Sequence, residues 1–78
     1  MRIKTEKLVI TFHTTTDAME MERLCREQGA AGRMIPVPRD ISAGCGLSWC
    51  ADPSEKDTLL ALCREAGLKP QGIHLCMV

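Results

Sequence analysis

The residues best suited to chemistry lie in one stretch, Pro38-Arg39-Asp40-Ile41-Ser42-Ala43-Gly44-Cys45-Gly46. Cys45 stands between two glycines, which tolerate unusual backbone angles and let another molecule approach the sulfur. A thiol becomes a strong nucleophile as its thiolate. A guanidinium and a helix N-terminus both favour that form near neutral pH. Arg39 supplies the guanidinium. His13 precedes Thr14-Thr15-Thr16-Asp17, residue types that open helices. If the fold brings this segment beside Cys45, the sulfur gains a helix N-terminus and an imidazole able to take its proton or hydrogen-bond the thiolate. The competing reading of Cys45 is a partly buried structural thiol in a glycine turn.

Four other cysteines offer less. Cys25 and Cys63 recur inside a repeat, Leu24-Cys25-Arg26-Glu27-Gln28-Gly29 and Leu62-Cys63-Arg64-Glu65-Ala66-Gly67, at an offset of 38 residues. Both fall on apolar helix stripes and read as small core residues. Cys50 lies near the far end of a strand and could resolve a Cys45 adduct only if the loop moves. Cys76 lies too far along its strand to join a metal site of His13, Cys45 and His74. No Cys-x-x-Cys pair occurs, and neither a bound metal nor a cofactor is expected. An odd cysteine count without a secretion signal points to a reduced, cytoplasmic chain.

The repeat divides the chain into two similar halves, each reading β-α-β. Lys7 to His13 is a β-rich run. Ala18, Met21, Leu24 and Cys25 then recur at helical spacing, with Thr16 or Asp17 as N-cap and Gly29 as stop. Met34 to Val37 is the second strand and Gly46 to Ala51 the third. Asp52-Pro53-Ser54-Glu55 opens a second helix whose buried stripe is Leu59, Leu62, Cys63 and Ala66, with Gly67 as stop. Gly72 to Val78 is the fourth strand. This β-α-β-β-α-β order is expected to form a single α+β domain over 1–78. The fold it predicts is a ferredoxin-like sandwich: a four-stranded antiparallel sheet, order 4-1-3-2, with two helices on one face. Pro36 and Pro38, two residues apart, remove N–H groups from the same side of strand two, which suits an edge strand.

Alternation assigns the sheet faces. Leu8, Ile10, Phe12, Ile73, Leu75 and Met77 should face the helices, as should Leu47 and Trp49 or their neighbours; Val9, Thr11, His74, Cys76 and Val78 should lie on the open face. That open face could pair with a second copy. The topology also collects His13, Thr14 to Asp17, the loop of residues 38–46 and His74 at one end of the domain. The loop is long for a hairpin connection, and such loops are often functional.

Composition bounds the rest. The 78 residues carry ten basic and ten acidic side chains, a formal net charge of zero. Nucleic-acid binding and a polybasic membrane anchor both need a basic excess. Hydrophobic residues are 45% and charged residues 26% of the chain, the balance of a globular domain rather than a disordered one. No apolar run is long enough for a transmembrane helix or a signal-peptide core.

Three segments, Phe12-His13-Thr14-Thr15-Thr16-Asp17-Ala18, Ile35-Pro36-Val37-Pro38-Arg39 and Ser42-Ala43-Gly44-Cys45-Gly46-Leu47, resemble in that order a small bacterial family, the selenium/sulfur carrier protein-like family. The resemblance spans about residues 7 to 68. It implies that Cys45 is the sulfur or selenium acceptor, with Pro36, Pro38 and Arg39 matching the segment before it and Thr15 and Ala18 the helix start. Cys50 and Cys76 do not match family positions. The expected function is a carrier rather than an enzyme with small-molecule turnover. Cys45 would accept a persulfide or selenopersulfide from a donor such as a cysteine desulfurase-type enzyme and pass it to an acceptor protein. Arg39 and His13 would support the thiolate, and Thr14, Thr15, Thr16, Pro38, Gly44 and Gly46 would form the contact surface. The alternative is a non-catalytic small-molecule-binding or regulatory module that dimerises through its open sheet face, with Cys45 structural.

Overall fold

The computed structural model describes residues 5–39, 41 and 46–77. The first strand, β1 (Glu6–Thr11), leads into α1 (Thr15–Gln28), and β2 (Arg33–Pro36) returns to the sheet. After β3 (Leu47–Ala51), a single 3-10 turn at Pro53–Glu55 opens α2 (Lys56–Ala66), and β4 (Gly72–Met77) completes the sheet. The strands form one antiparallel sheet in the order β2-β3-β1-β4, the expected order.

Each helix starts and stops for local reasons. The α1 N-cap is Thr14 rather than Thr16 or Asp17: its Oγ1 accepts the Asp17 N–H at 3.1 Å, and Asp17 brings negative charge to the first turn. Thr14 takes the role because Thr15 and Thr16 already belong to the helix. At the second helix, the Asp52 carboxylate accepts the Ser54 N–H at 3.0 Å and the Ser54 hydroxyl at 2.8 Å, with Pro53 in the first turn.

The two copies of the repeat are two copies of one helix terminator. Gly29 (φ 68°) and Gly67 (φ 73°) take the left-handed conformation that closes a helix. The next residue folds back each time: Ala30 N–H donates to the Cys25 carbonyl at 2.8 Å, and Leu68 N–H to the Cys63 carbonyl at 2.8 Å. The cysteine of each repeat is therefore the residue whose carbonyl receives the returning chain.

The core lies between one sheet face and both helices. Leu8, Ile10, Phe12, Trp49 and Ala51 meet Ala18, Met21 and Cys25 of α1, Leu59 and Cys63 of α2, and Leu68. The Cys63 sulfur lies 3.5 Å from the Met21 sulfur, where the helices touch. Trp49 anchors the α1–β2 connection by donating its indole N–H to the Ala31 carbonyl at 3.2 Å.

Two face assignments need correction. Cross-strand pairing of Leu8 with Leu75 and Ile10 with Ile73 places β4's odd-numbered residues on the helix side, as alternation requires. Yet the helices do not cover them: Ile73, Leu75 and Met77 are 41%, 58% and 60% exposed. Conversely, Val9 and Thr11 lie on the open face beside Cys50 and Ser48, and all four are buried. Alternation reports the side of the sheet, not what covers it. The strand ends also shift, with β1 stopping at Thr11, β2 at Pro36 and β3 beginning at Leu47. Pro36 thus ends the edge strand β2, and Pro38 belongs to the turn that follows.

Leu59 is fully buried, and a chain of this size holds roughly 4–12 kcal/mol of total stability. Leu59→Ala is expected to remove about 2–5 kcal/mol. Urea denaturation should show a sharply lowered midpoint with an unchanged slope.

Candidate functional site

One edge of the sheet gathers the end of β1, the end of β2, the start of β3 and the start of β4. Thr11 pairs with Ser48 and Gly72, and Pro36 pairs with Leu47. Just beyond, the Val37 N–H donates to the Gly46 carbonyl at 3.0 Å and closes the base of the long loop. The Ile41 N–H donates to the Pro38 carbonyl at 3.0 Å and turns the outgoing limb. The loop of residues 38–46 therefore springs from a hydrogen-bonded neck continuous with the β2–β3 ladder.

The expected site residues take the following places. His13 lies two residues past the end of β1 and is exposed. Thr14 spends its hydroxyl oxygen on the helix cap, while Thr15 and Thr16 form the exposed first turn of α1. Arg39 is exposed and makes no ion pair among the described residues. Pro38 is half-buried at the neck, and Gly46 has φ 77°, a left-handed angle that disfavours any side chain there. Gly44 and Cys45 lie outside the described residues. The structure thus places His13, the α1 N-terminus and both limbs of the loop at the same sheet edge, as the topology predicts.

His74 is the third residue of β4, opposite Val9, as a strand beginning at Gly72 requires. Its ring folds back over Gly72 beside the Thr11 hydroxyl, filling the space a Gly72 side chain would take.

The remaining cysteines separate by burial. Cys25 and Cys63 are 1% and 2% exposed. Burial pushes the Cys25 thiol up to about 11, with neighbouring Cys63 adding to the rise, and burial pushes Cys63 up as well. Both stay protonated and unreactive near neutral pH. Cys50 lies at the end of β3 away from the loop, four residues beyond Gly46. At strand rise that is roughly 13 Å, which denies it any contact with the neck.

Cys50 has a setting that the sequence did not disclose. It lines a cleft of about 300 Å³ with Lys7, Gly32, Arg33, Ala51 and Asp52. Arg33 is its direct cross-strand partner. Asp52 is held below the usual carboxylate range by the Ser54 hydrogen bonds, with a smaller contribution from Lys7. Arg33, Lys7 and Cys50 are far apart in sequence, and only the sheet register brings them together. No group of three His, Cys, Asp or Glu side chains placed to hold a metal ion occurs among the described residues. Nor is any helix among them long and apolar enough to cross a membrane.

A family model described as "Putative Se/S carrier protein-like" matches residues 7–75. No curated protein and no solved structure matches the chain.

Two measurements test the site's frame. Gly46→Ala leaves space for the methyl group but forces a left-handed angle on alanine, so it should cost about 1–2 kcal/mol in urea denaturation. The second concerns pH. Cys25 has a folded-state pKa of about 11 against an ordinary 9.0, so its stabilising contribution is complete below pH 9 and lost as pH rises through 11. The urea midpoint should fall between pH 9 and 11, and fall less in Cys25→Ala.

Proposed function

Because the chain belongs to the Se/S carrier protein-like family, we propose that it is a cytoplasmic chalcogen carrier on a ferredoxin-like scaffold, with Cys45 as the acceptor. The Cys45 thiolate attacks the terminal sulfur of a donor persulfide, R-S-SH. A new S–S bond forms at Cys45, the donor's S–S bond breaks, and the donor leaves as a thiolate that takes up a proton. The number of persulfide bonds is conserved, so no external oxidant or reductant is needed. With a selenopersulfide the same exchange transfers selenium. The acceptor protein then attacks the loaded Cys45 in the same manner.

The observation that supports this reading is the closed neck at Val37 and Gly46, which sets the two ends of the cysteine-bearing segment at the edge where α1 begins. A carrier needs a thiol on a projecting segment, because its substrate arrives attached to another protein. Arg39 and His13 stand on the same edge and supply a cation and an imidazole to support a thiolate. The contact surface for donor and acceptor is the loop together with Thr14, Thr15, Thr16 and Pro38. No bound cofactor enters the exchange.

The test is persulfide loading by a cysteine desulfurase supplied with cysteine, followed by peptide mass spectrometry. One added sulfur atom is expected on the Cys45 peptide. Cys45→Ser should abolish loading with an unchanged far-UV circular dichroism spectrum, whereas Cys50→Ser should load normally. Loading that persists in Cys45→Ser overturns the assignment. Alkylation gives an independent check: at pH 6 Cys45 should react fastest of the five cysteines, and Cys25 and Cys63 should remain unmodified.

A further inference from the structure

The two edges of the sheet are guarded very differently. β2 has four residues, ends in Pro36 without an N–H to offer, and carries the exposed Arg33. These features discourage another strand from adding. β4 has six residues, Gly72-Ile73-His74-Leu75-Cys76-Met77, with no proline, lysine, arginine or carboxylate. Among the described residues it pairs with β1 alone and forms the margin of the sheet. Its helix-side residues Ile73, Leu75 and Met77 are three of the four large hydrophobic residues that stand exposed among the described residues. An uncharged strand edge beside an apolar row is a template for strand addition.

We propose that β4 pairs antiparallel with β4 of a second copy, on a two-fold axis perpendicular to the sheet at Leu75. The occupant is argued from the row itself. This register sets Leu75 against Leu75 of the second copy and Ile73 against Met77 at both ends. All three apolar residues then flank their counterparts on the same side of a continuous eight-stranded sheet. No lysine, arginine or carboxylate faces another across the axis, because the strand contains none. The mutual arrangement is isologous, the commonest closed symmetry.

The area sets the strength. Three partly exposed aliphatic side chains of this kind contribute on the order of 300 Å² per copy, and the strand backbones add to that. The total falls at or below the low end for protein interfaces, so the dimer is weak and reversible. The two-fold axis sends the two necks at Val37 and Gly46 to opposite ends of the joined sheet. This inference does not depend on the proposed carrier chemistry.

Sedimentation velocity over a concentration series tests it. The wild-type chain should shift from monomer to dimer. Leu75→Lys should weaken association at least about 100-fold while keeping the wild-type circular dichroism spectrum, since Leu75 is 58% exposed. In Leu75→Cys the two new thiols face each other across an antiparallel pair, within disulfide range, and mild oxidation should join them in a peptide identifiable by mass spectrometry. A wild-type chain that stays monomeric at ~200 µM overturns the proposal. So does a dimer that survives Leu75→Lys but dissociates with Ile35→Lys on the opposite face, or a dimer of Leu75→Cys in which the introduced thiols form no disulfide with each other.

Discussion

Both helices must stop at the right residue, or the chain cannot return to the sheet. That constraint is met by the same six-residue ending used twice. In each, a left-handed glycine ends the helix and the next residue donates back to the carbonyl of a buried cysteine. Cysteine suits this position because it is small enough to sit under the returning chain and apolar enough for the core. Met21 and Cys63 then bring the helices together over Leu8, Ile10 and Trp49. A shift of either helix end would misplace β2 or β4, and with them the sheet edge from which the loop and α1 both begin.

The two helices do not cover all four strands. They pack over the sheet's middle, burying Leu8, Ile10, Trp49 and Ala51, and leave the helix side of β4 open. The chain handles its two margins in opposite ways. β2 carries Pro36 and Arg33, whereas β4 carries Ile73, Leu75 and Met77 in the open. Exposed apolar residues alone would be ordinary for a protein this small. Their alignment on one side of an unguarded edge strand gives them a geometric use.

Much of this was legible in the residues. Strand order follows from two β-α-β halves, and Pro36 marks an edge strand by its missing N–H alone. The helix stops at Gly29 and Gly67 and the core roles of Cys25 and Cys63 follow from spacing and repetition. What alternation could not supply was cover. It assigned Leu75 to the helix side correctly but could not show that the helices fall short of it, nor that Val9 and Thr11 would be buried on the other face. The Thr14 cap was misplaced because three consecutive threonines can each cap a helix, and only the extended backbone at Thr14 distinguishes them. Topology brings His13, the α1 N-terminus and both limbs of the loop to one end of the sheet, and Gly44 and Cys45 lie outside the described residues. The cleft around Cys50 was not legible, because Arg33 meets Cys50 through a register that no local pattern specifies.

The five cysteines pose a problem of selectivity for a protein that handles persulfides. Thiol exchange needs a thiolate and an approach path. Cys25 fails on both counts. Burial raises its pKa from 9.0 to about 11, which lowers its thiolate fraction at neutral pH about a hundredfold. The packed helix ends also exclude the bulky sulfur of a donor protein. Cys63 is shielded in the same way, and its neighbour Met21 offers no proton acceptor of any strength. Cys50 is 5% exposed, at the end of β3 away from the loop. Core packing therefore removes Cys25 and Cys63 from competition by the same contacts that make the fold stable. In the proposed carrier, selectivity against Cys25 and Cys63 is a by-product of core formation.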